Sequence, residues 1–407
     1  MKPRHAAIAL ALGIGLVACD GTTTTSTCTA TCSETGSNVQ SLQTWASAGR
    51  DLSLPGDSNW IPSAFGTILH DRWDSVVNLS KYRVAADSDL SRILADWASR
   101  TPRATGWTQV ASSDTAMGTG HHGTLSLVRF SVDGVSQGAL VWTPTASGKL
   151  PVLLVGHPGD GGVSDDILSG LGMLMGVPTG ALVDSVILVA PAYRGETAWL
   201  GNDSVVGDPA TASPWDRDVD DALGLLQAEL DREPRADAAR ISAFGFSRGA
   251  GVSLLAALRD ARIRSVFEIA GPTDFFAPSI QQVAFALYAG QSIDLPGVNY
   301  LTDRYVAPLW NGSIPADSIR TALLRRSPAR LAGSHVLPDP VVAVQGLSDS
   351  TVFPEHTRHL AAADPRVDTT MIAGMGHTTW LESANLFTQA LPIGNALTAF
   401  LRNNLKI

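Results

Sequence analysis

Ile241-Ser242-Ala243-Phe244-Gly245-Phe246-Ser247-Arg248-Gly249-Ala250-Gly251-Val252-Ser253-Leu254-Leu255-Ala256-Ala257-Leu258 carries the decisive signal of this chain. Its first part is a short apolar run of the kind that forms a strand buried on both faces. Its last part is a run of small and aliphatic residues that suits a helix. Between them stands Gly245-Phe246-Ser247-Arg248-Gly249, a Gly-x-Ser-x-Gly pattern. Such a pattern arises by chance in a glycine-rich chain, but between strand and helix it reads as a nucleophile elbow. The turn is so tight that side chains flanking Ser247 would collide, hence glycine on both sides and Ala250 next. The helix N-terminus then lies under any negative charge developing above Ser247.

A serine hydroxyl needs a base, and the base needs an orienting acid. After a strand–turn–helix serine, acid and then histidine follow along the chain. His377 lies in Gly374-Met375-Gly376-His377, behind the strand-like stretch 367–372 and ahead of a final helix, and is the expected base. His356 and His359 read as a solvated helix face or at most a weak metal pair, and His335 as linker. Asp349 ends the run Val341-Val342-Ala343-Val344-Gln345-Gly346-Leu347-Ser348-Asp349 and is the expected acid. Asp339 precedes that strand, and Asp364 and Asp368 flank the turn before the next one, so all three fall at the opposite edge. The oxyanion is expected to take two backbone N–H donors. One is that of Arg248. The other comes from the loop Gly156-His157-Pro158-Gly159-Asp160-Gly161-Gly162, where Pro158 has no N–H and Gly159 or Asp160 is left. His157, upstream of the serine, reads as a residue that shapes this loop.

Working outward, segments 125–132 and 135–142 alternate apolar and polar across Asp133-Gly134 and predict a hairpin. Continuous apolar runs at 152–155, 186–190, 241–246, 266–270 and 341–344 predict buried parallel strands. Helical stretches at 216–231, 248–260, 354–363 and 383–404 separate several of them. The expected fold class is α/β: a mostly parallel sheet with helices on both faces, over residues 115–407. Within it, the interval 275–335 reads as an insertion at the C-terminal edge of the sheet, either covering the site or serving as scaffold. Residues 39–114 hold Trp45, Trp60, Trp73, Trp97 and Trp107, with Leu90, Ile93, Leu94 and Trp97 at helical spacing and Pro102 as a stop. They predict a small, mostly helical extension whose indoles pack on the main domain or line a sugar site.

The N-terminus predicts export. Lys2 and Arg4 precede an unbroken apolar run over 6–18, too short for an ordinary membrane span and suited to a signal peptide over 1–18. Leu16-Val17-Ala18-Cys19 resembles the lipobox of bacterial lipoproteins, so Cys19 is the expected lipidation site and membrane anchor; an ordinary secretory signal is the other reading. Residues 19–38 are rich in Thr, Ser and Gly and predict a flexible tether. Cys28 and Cys32, the other two of the three cysteines, form a local disulfide or two free thiols. Since no cysteine follows residue 32, a catalytic thiol or a Cys-ligated zinc in the folded body is excluded. The formal charge of −9 comes without a basic run, which argues against a nucleic-acid partner. No metal or organic cofactor is expected.

In order along the chain, several marks resemble the catalytic domain of the prolyl-oligopeptidase-like branch of the α/β-hydrolases, the peptidase S9 and dienelactone-hydrolase-like group. These are Ala192-Tyr193-Arg194-Gly195, Asp218-Val219-Asp220-Asp221-Ala222, Gly245-Phe246-Ser247-Arg248-Gly249-Ala250 and Gly271-Pro272-Thr273-Asp274-Phe275. Ser327-Pro328, Gly346-Leu347-Ser348-Asp349-Ser350-Thr351-Val352 and Gly376-His377 complete the set over roughly residues 120–407. The resemblance implies an α/β-hydrolase fold and a serine hydrolase with the triad Ser247, Asp349 and His377. Segment 39–114 is too short for the β-propeller of true oligopeptidases. His157-Pro158-Gly159 also replaces the more usual His-Gly-Gly or Gly-Gly-Pro. Arg194 and Asp274 read as structural, an ion pair bracing the site. The expected activity is hydrolysis of a small-molecule carboxylic ester through an acyl-enzyme. A peptidase or amidase, and a noncatalytic membrane-tethered binding protein, are the alternatives.

Overall fold

Asp133 and Gly134 both take positive φ, 51° and 78°, as a two-residue hairpin turn of type I′ requires. They join β2 (Gly123–Val132) to β3 (Val135–Pro144), antiparallel, with Val132 opposite Val135. The structure, a computed structural model, describes residues 80–117, 120–176, 182–288, 293–332 and 336–407. The expected leader and tether, Cys19, Cys28, Cys32, Trp45, Trp60, Trp73 and His335 lie outside these residues.

Around the hairpin runs a nine-stranded sheet in the order β1-β2-β3-β6-β4-β9-β10-β11-β12. Its further strands are β1 (Thr105–Ser113), β4 (Leu150–Gly156), β6 (Ile187–Pro191), β9 (Ala236–Phe246), β10 (Ile263–Ile269), β11 (Val341–Gly346) and β12 (Asp368–Ile372). From β6 to β12 every pair is parallel; the β1, β2 and β3 end is antiparallel. The continuous apolar runs have a simple cause. Val152 and Leu154 belong to one core, Leu153 and Val155 to another, so successive side chains of β4 serve opposite faces. Helices α3 (Arg217–Arg232) and α4 (Arg248–Arg259) cover the first face, and α2 (Asp165–Gly176) and α11 (Leu391–Leu405) the second. A separate small sheet joins β5 (Val163–Ser164), β7 (Thr197–Leu200) and β8 (Asp203–Val206).

One expectation needs correction. Helix α1 (Ser80–Ser99) does bury Ile93 and Trp97 in the core. Residues 105–113, however, are not part of a helical extension: they are β1, the sheet's edge strand, so the sheet begins inside the expected extension. An edge strand half in solvent carries no apolar run, and Thr105-Gly106-Trp107-Thr108-Gln109 disguises it. Trp97 stacks under Arg259 at 5.3 Å and Trp107 under Arg232 at 4.6 Å, so both serve packing. The interval between β10 and β11 holds α5 (Pro278–Tyr288), α6 (Val298–Leu301), α7 (Ala307–Trp310), α8 (Ala316–Arg325) and α9 (Pro328–Ala332). Helix α10 (Glu355–Ala363) then precedes β12. No helix among the described residues is long and apolar enough to cross a membrane.

A buried acid inside the sheet gives a test of pH dependence. Glu268 of β10 lies fully buried and accepts one bond, from the Gly271 N–H at 2.9 Å. Burial pushes its carboxyl up from 4.5 to about 8, the Gly271 bond working the other way. The folded state thus keeps this proton longer than the unfolded chain. The stability it lends is whole below pH about 4.5 and is lost as pH rises through about 8. Glu268→Gln is expected to lose less Tm than the wild type between roughly pH 6 and pH 9. An equal loss in scanning fluorimetry would remove Glu268 as a source.

Candidate active site

Ser247 sits at φ 55° and ψ −123°, between β9 and α4. For a residue with a Cβ such a backbone costs about 1–3 kcal/mol and persists only where the surroundings impose it. Here the imposition is close backbone contact. A Cβ on Gly245 would stand 2.2 Å from the Gly249 carbonyl oxygen, and one on Gly249 would stand 2.1 Å from that of Gly156. Only glycines let the β4 end, the β9 end and the first turn of α4 meet. The Ser247 N–H is held by Ile269 O at 2.9 Å, tying the turn to β10.

The loops after β11 and β12 bring the other two side chains to this turn. Ser247 Oγ lies 2.9 Å from His377 Nε2, and His377 Nδ1 lies 2.8 Å from Asp349 Oδ2. Asp349 Oδ1 accepts the N–H groups of Thr351 and Val352, each at 2.9 Å. Its Oδ2 also accepts from Gln345 Nε2 at 3.2 Å. An acceptor-only carboxylate at Nδ1 fixes the tautomer: Nδ1 carries the proton, and Nε2 is free to accept from the serine. The acid strand and the histidine loop touch directly. Ser348 N–H donates to Met375 O, and a Cβ on Gly346 would lie 2.2 Å from that oxygen. Trp380 Nε1 donates to the His377 carbonyl at 3.2 Å.

The other candidates lie elsewhere. Asp364 is bound to Arg366 at 2.5 Å, and Asp368 is exposed at the start of β12. His157 is fully buried and stacks on Tyr193 with centroids 4.0 Å apart, its Nδ1 3.0 Å from Pro158 O. Burial pushes it down to about 3, so the imidazole is neutral. His356 and His359 do not form a solvated face. His356 is buried and accepts the Asp274 N–H at 3.2 Å, and His359 Nδ1 lies 2.7 Å from Asp274 Oδ2. The polar side of α10 is thus spent on a buried carboxylate rather than on water. Arg194 and Asp274 likewise do not pair with each other. Arg194 holds Asp221 at 2.5 and 3.1 Å; Asp274 is held by Arg330 at 2.6 and 2.9 Å. Burial would raise the Asp274 carboxyl, but bonds from His359 and Arg330 outweigh it and hold it well below its usual range.

The side chain of Arg248 was not foreseen as part of the site. It is buried, Nη2 donating to Asp218 Oδ2 at 2.7 Å and Nη1 to Glu196 Oε1 and to Gly159 O, the latter at 3.1 Å. Gln345 was also missed. The Arg248 pairings span residues distant in sequence, which only the fold brings together, whereas Gln345 lies four residues before Asp349 on the same strand-to-loop segment. The Arg248 N–H begins α4, where no carbonyl of the helix itself can reach it.

Beside Ser247 opens a largely apolar cavity. Its walls come chiefly from α5 to α8, with Phe275, Val283, Leu287, Val298, Ile319 and Leu323 among them. The insertion thus lines the space at the serine.

No protein-family model matches the chain, and no curated protein does. Solved structures do. Acylaminoacyl peptidase of Pyrococcus horikoshii aligns at TM-score 0.51 and 15% identity, over 70% of this chain and 42% of that one. A puromycin-hydrolysing peptidase of Mycobacterium tuberculosis aligns at 0.49 and 20%, over 71% and 46%. Acetyl xylan esterase 1 of a Thermoanaerobacterium species aligns at 0.48 and 19%, over 76% and 93%. The chain spans less than half the length of the two peptidases. The strand order, the elbow after β9 and the superposition on acylaminoacyl peptidase agree. The chain has the α/β-hydrolase fold.

Proposed function

We propose that the chain is a serine hydrolase that cleaves carboxylic esters through an acyl-enzyme. The observation that carries this is the continuous hydrogen-bonded row Ser247, His377, Asp349 at 2.9 and 2.8 Å, opening on an apolar cavity. Ser247 Oγ attacks the ester carbonyl while His377 Nε2 takes its proton. The Asp349 carboxylate stabilises the imidazolium without itself being protonated. The oxyanion lies at the N-terminus of α4, with the Arg248 N–H as one donor and that of Gly159 or Asp160 as the other. His377 gives its proton to the leaving alcohol. Water then attacks the acyl carbonyl by the same route and regenerates Ser247.

The cavity favours ester over peptide. Of the chargeable groups along its wall, the Arg248 guanidinium is committed to Asp218 and Glu196, and His356 to the Asp274 backbone. Neither offers a free charge to a peptide terminus, since burial pushes the His356 imidazole toward its neutral form. An apolar acyl group suits the lining, each buried methylene being worth about 0.8 kcal/mol, or about fourfold in kcat/KM. Nitrophenyl esters of increasing acyl length are expected to rise by about that factor per methylene until the cavity fills. Val283→Trp should suppress the longer acyl groups and spare acetyl. The matching anilides should be poorer substrates than the esters. Anilide kcat/KM equal to or above ester kcat/KM would replace this reading by the peptidase one.

A further inference from the structure

We propose that the Arg248 side chain is a positioning residue that ties the two segments carrying the oxyanion donors into one rigid unit. The inference rests on the serine-hydrolase reading above. Arg248 gives its own N–H to the first donor position, immediately after Ser247. Its side chain reaches to the second, where Nη1 donates to the Gly159 carbonyl at 3.1 Å.

The loop needs such a hold. Gly159 takes φ +74°, and a Cβ on it would meet nothing closer than 4.0 Å. A Cβ on Gly161 would meet nothing within 4 Å. The loop is pinned at its start, where Tyr193 Oη donates to His157 O at 3.3 Å. It is pinned again at its end, where a Cβ on Gly162 would fall 1.9 Å from Thr197 O. Between those points the chain is glycine-rich, uncrowded and entropically costly to order. A donor misplaced by even about 1 Å forfeits much of its effect on a transition state.

The guanidinium is itself over-determined. It is buried between the rings of Tyr193 and Trp215, at 4.7 and 5.7 Å. Trp215 Nε1 donates to the Arg248 carbonyl at 3.2 Å. Asp218 Oδ2 takes Nη2 at 2.7 Å and Nε at 3.2 Å, and Glu196 Oε1 takes Nη1. Burying a cation with two carboxyls is expensive, and well-packed apolar side chains would often stabilise as well. Stability alone therefore does not account for an arginine whose remaining donor capacity goes to a loop carbonyl.

Glu196 supplies a pH handle. Its carboxyl faces Arg248, Asp218, Asp160 and His157, and burial pushes it up to about 8, Arg248 pulling the other way. Burial raises the Asp218 carboxyl as well, so both carboxyls depend on the one Arg248 guanidinium. As pH rises through about 8, the Glu196 carboxylate draws more strongly on the Nη1 that it shares with Gly159 O.

The test uses the full chain, with wild-type labelling of Ser247 by a fluorophosphonate as the control for the reading itself. Arg248→Met is expected to lower ester kcat by roughly 10²-fold, the scale of one lost oxyanion donor, with KM within about threefold. The inhibition constant of a trifluoromethyl ketone, which depends on the oxyanion donors, should weaken in parallel. Arg248→Lys should recover part of both. Wild-type kcat should decline above pH about 8, a step that Glu196→Gln removes. If Arg248→Met does not fold, Arg248→Lys and Glu196→Gln decide by the same readouts. A labelled, active wild type whose Arg248 variants keep both kcat and ketone affinity would overturn the inference. An unlabelled, inactive wild type would instead overturn the underlying reading.

Discussion

Ser247→Ala is expected to lower ester kcat by on the order of 10⁴-fold or more while leaving the fold intact. The size follows from what is lost. Removing Oγ abolishes the covalent route, and His377 is left to activate water in a site built around a side-chain oxygen 2.9 Å from Nε2. Residual turnover would come from the oxyanion donors and substrate binding alone. The fold should survive because the Ser247 backbone is held by contacts that alanine keeps. These are the N–H bond to Ile269 O and the packing of Gly245 and Gly249 on neighbouring main chain. Alanine also keeps the Cβ, so it inherits the strained φ of 55° without adding to it. The measurement is kcat and Tm on the same preparation. Turnover above a tenth of the wild type in a pure sample would rule Ser247 out as nucleophile.

The two kinds of sequence signal differed in reach. Strands buried on both faces were legible because a run such as 152–155 has to be apolar throughout, and the Asp133-Gly134 turn was legible because few dipeptides tolerate φ > 0 twice. Edge strand β1 was not, since a strand facing water needs no such run. Ser247, Asp349 and His377 could be nominated from the ends of strands, because that is where a parallel sheet delivers side chains to one edge. Partnerships between buried charges could not. Arg194 and Asp274 each have several opposite charges within the chain, and only the folded geometry chooses Asp221 for one and Arg330 for the other. The cavity was illegible for the same reason: its walls are scattered from Trp215 to His356 and converge through helix packing.

Asp349→Asn should be the second severe substitution, lowering kcat by roughly 10³-fold or more, though by no more than His377→Ala. The argument is one of donors and acceptors. Asp349 Oδ1 accepts two backbone N–H groups, from Thr351 and Val352. An asparagine keeps its carbonyl oxygen there, because turning the NH₂ toward those donors would oppose two N–H groups at once. The NH₂ then replaces Oδ2, facing His377 Nδ1 and Gln345 Nε2. His377 can answer a donor only by accepting at Nδ1, which moves its proton to Nε2. In that tautomer Nε2 donates toward Ser247 Oγ and cannot take the serine proton. Because the exchange is nearly isosteric, KM should change little and the loss should fall on kcat. Asp364→Asn and Asp368→Asn serve as controls and should retain wild-type turnover. Asp364 is engaged by Arg366 at 2.5 Å, and Asp368 is exposed at the start of β12. An active Asp349→Asn enzyme beside an inactive Asp364→Asn or Asp368→Asn one would move the acid's role to that residue.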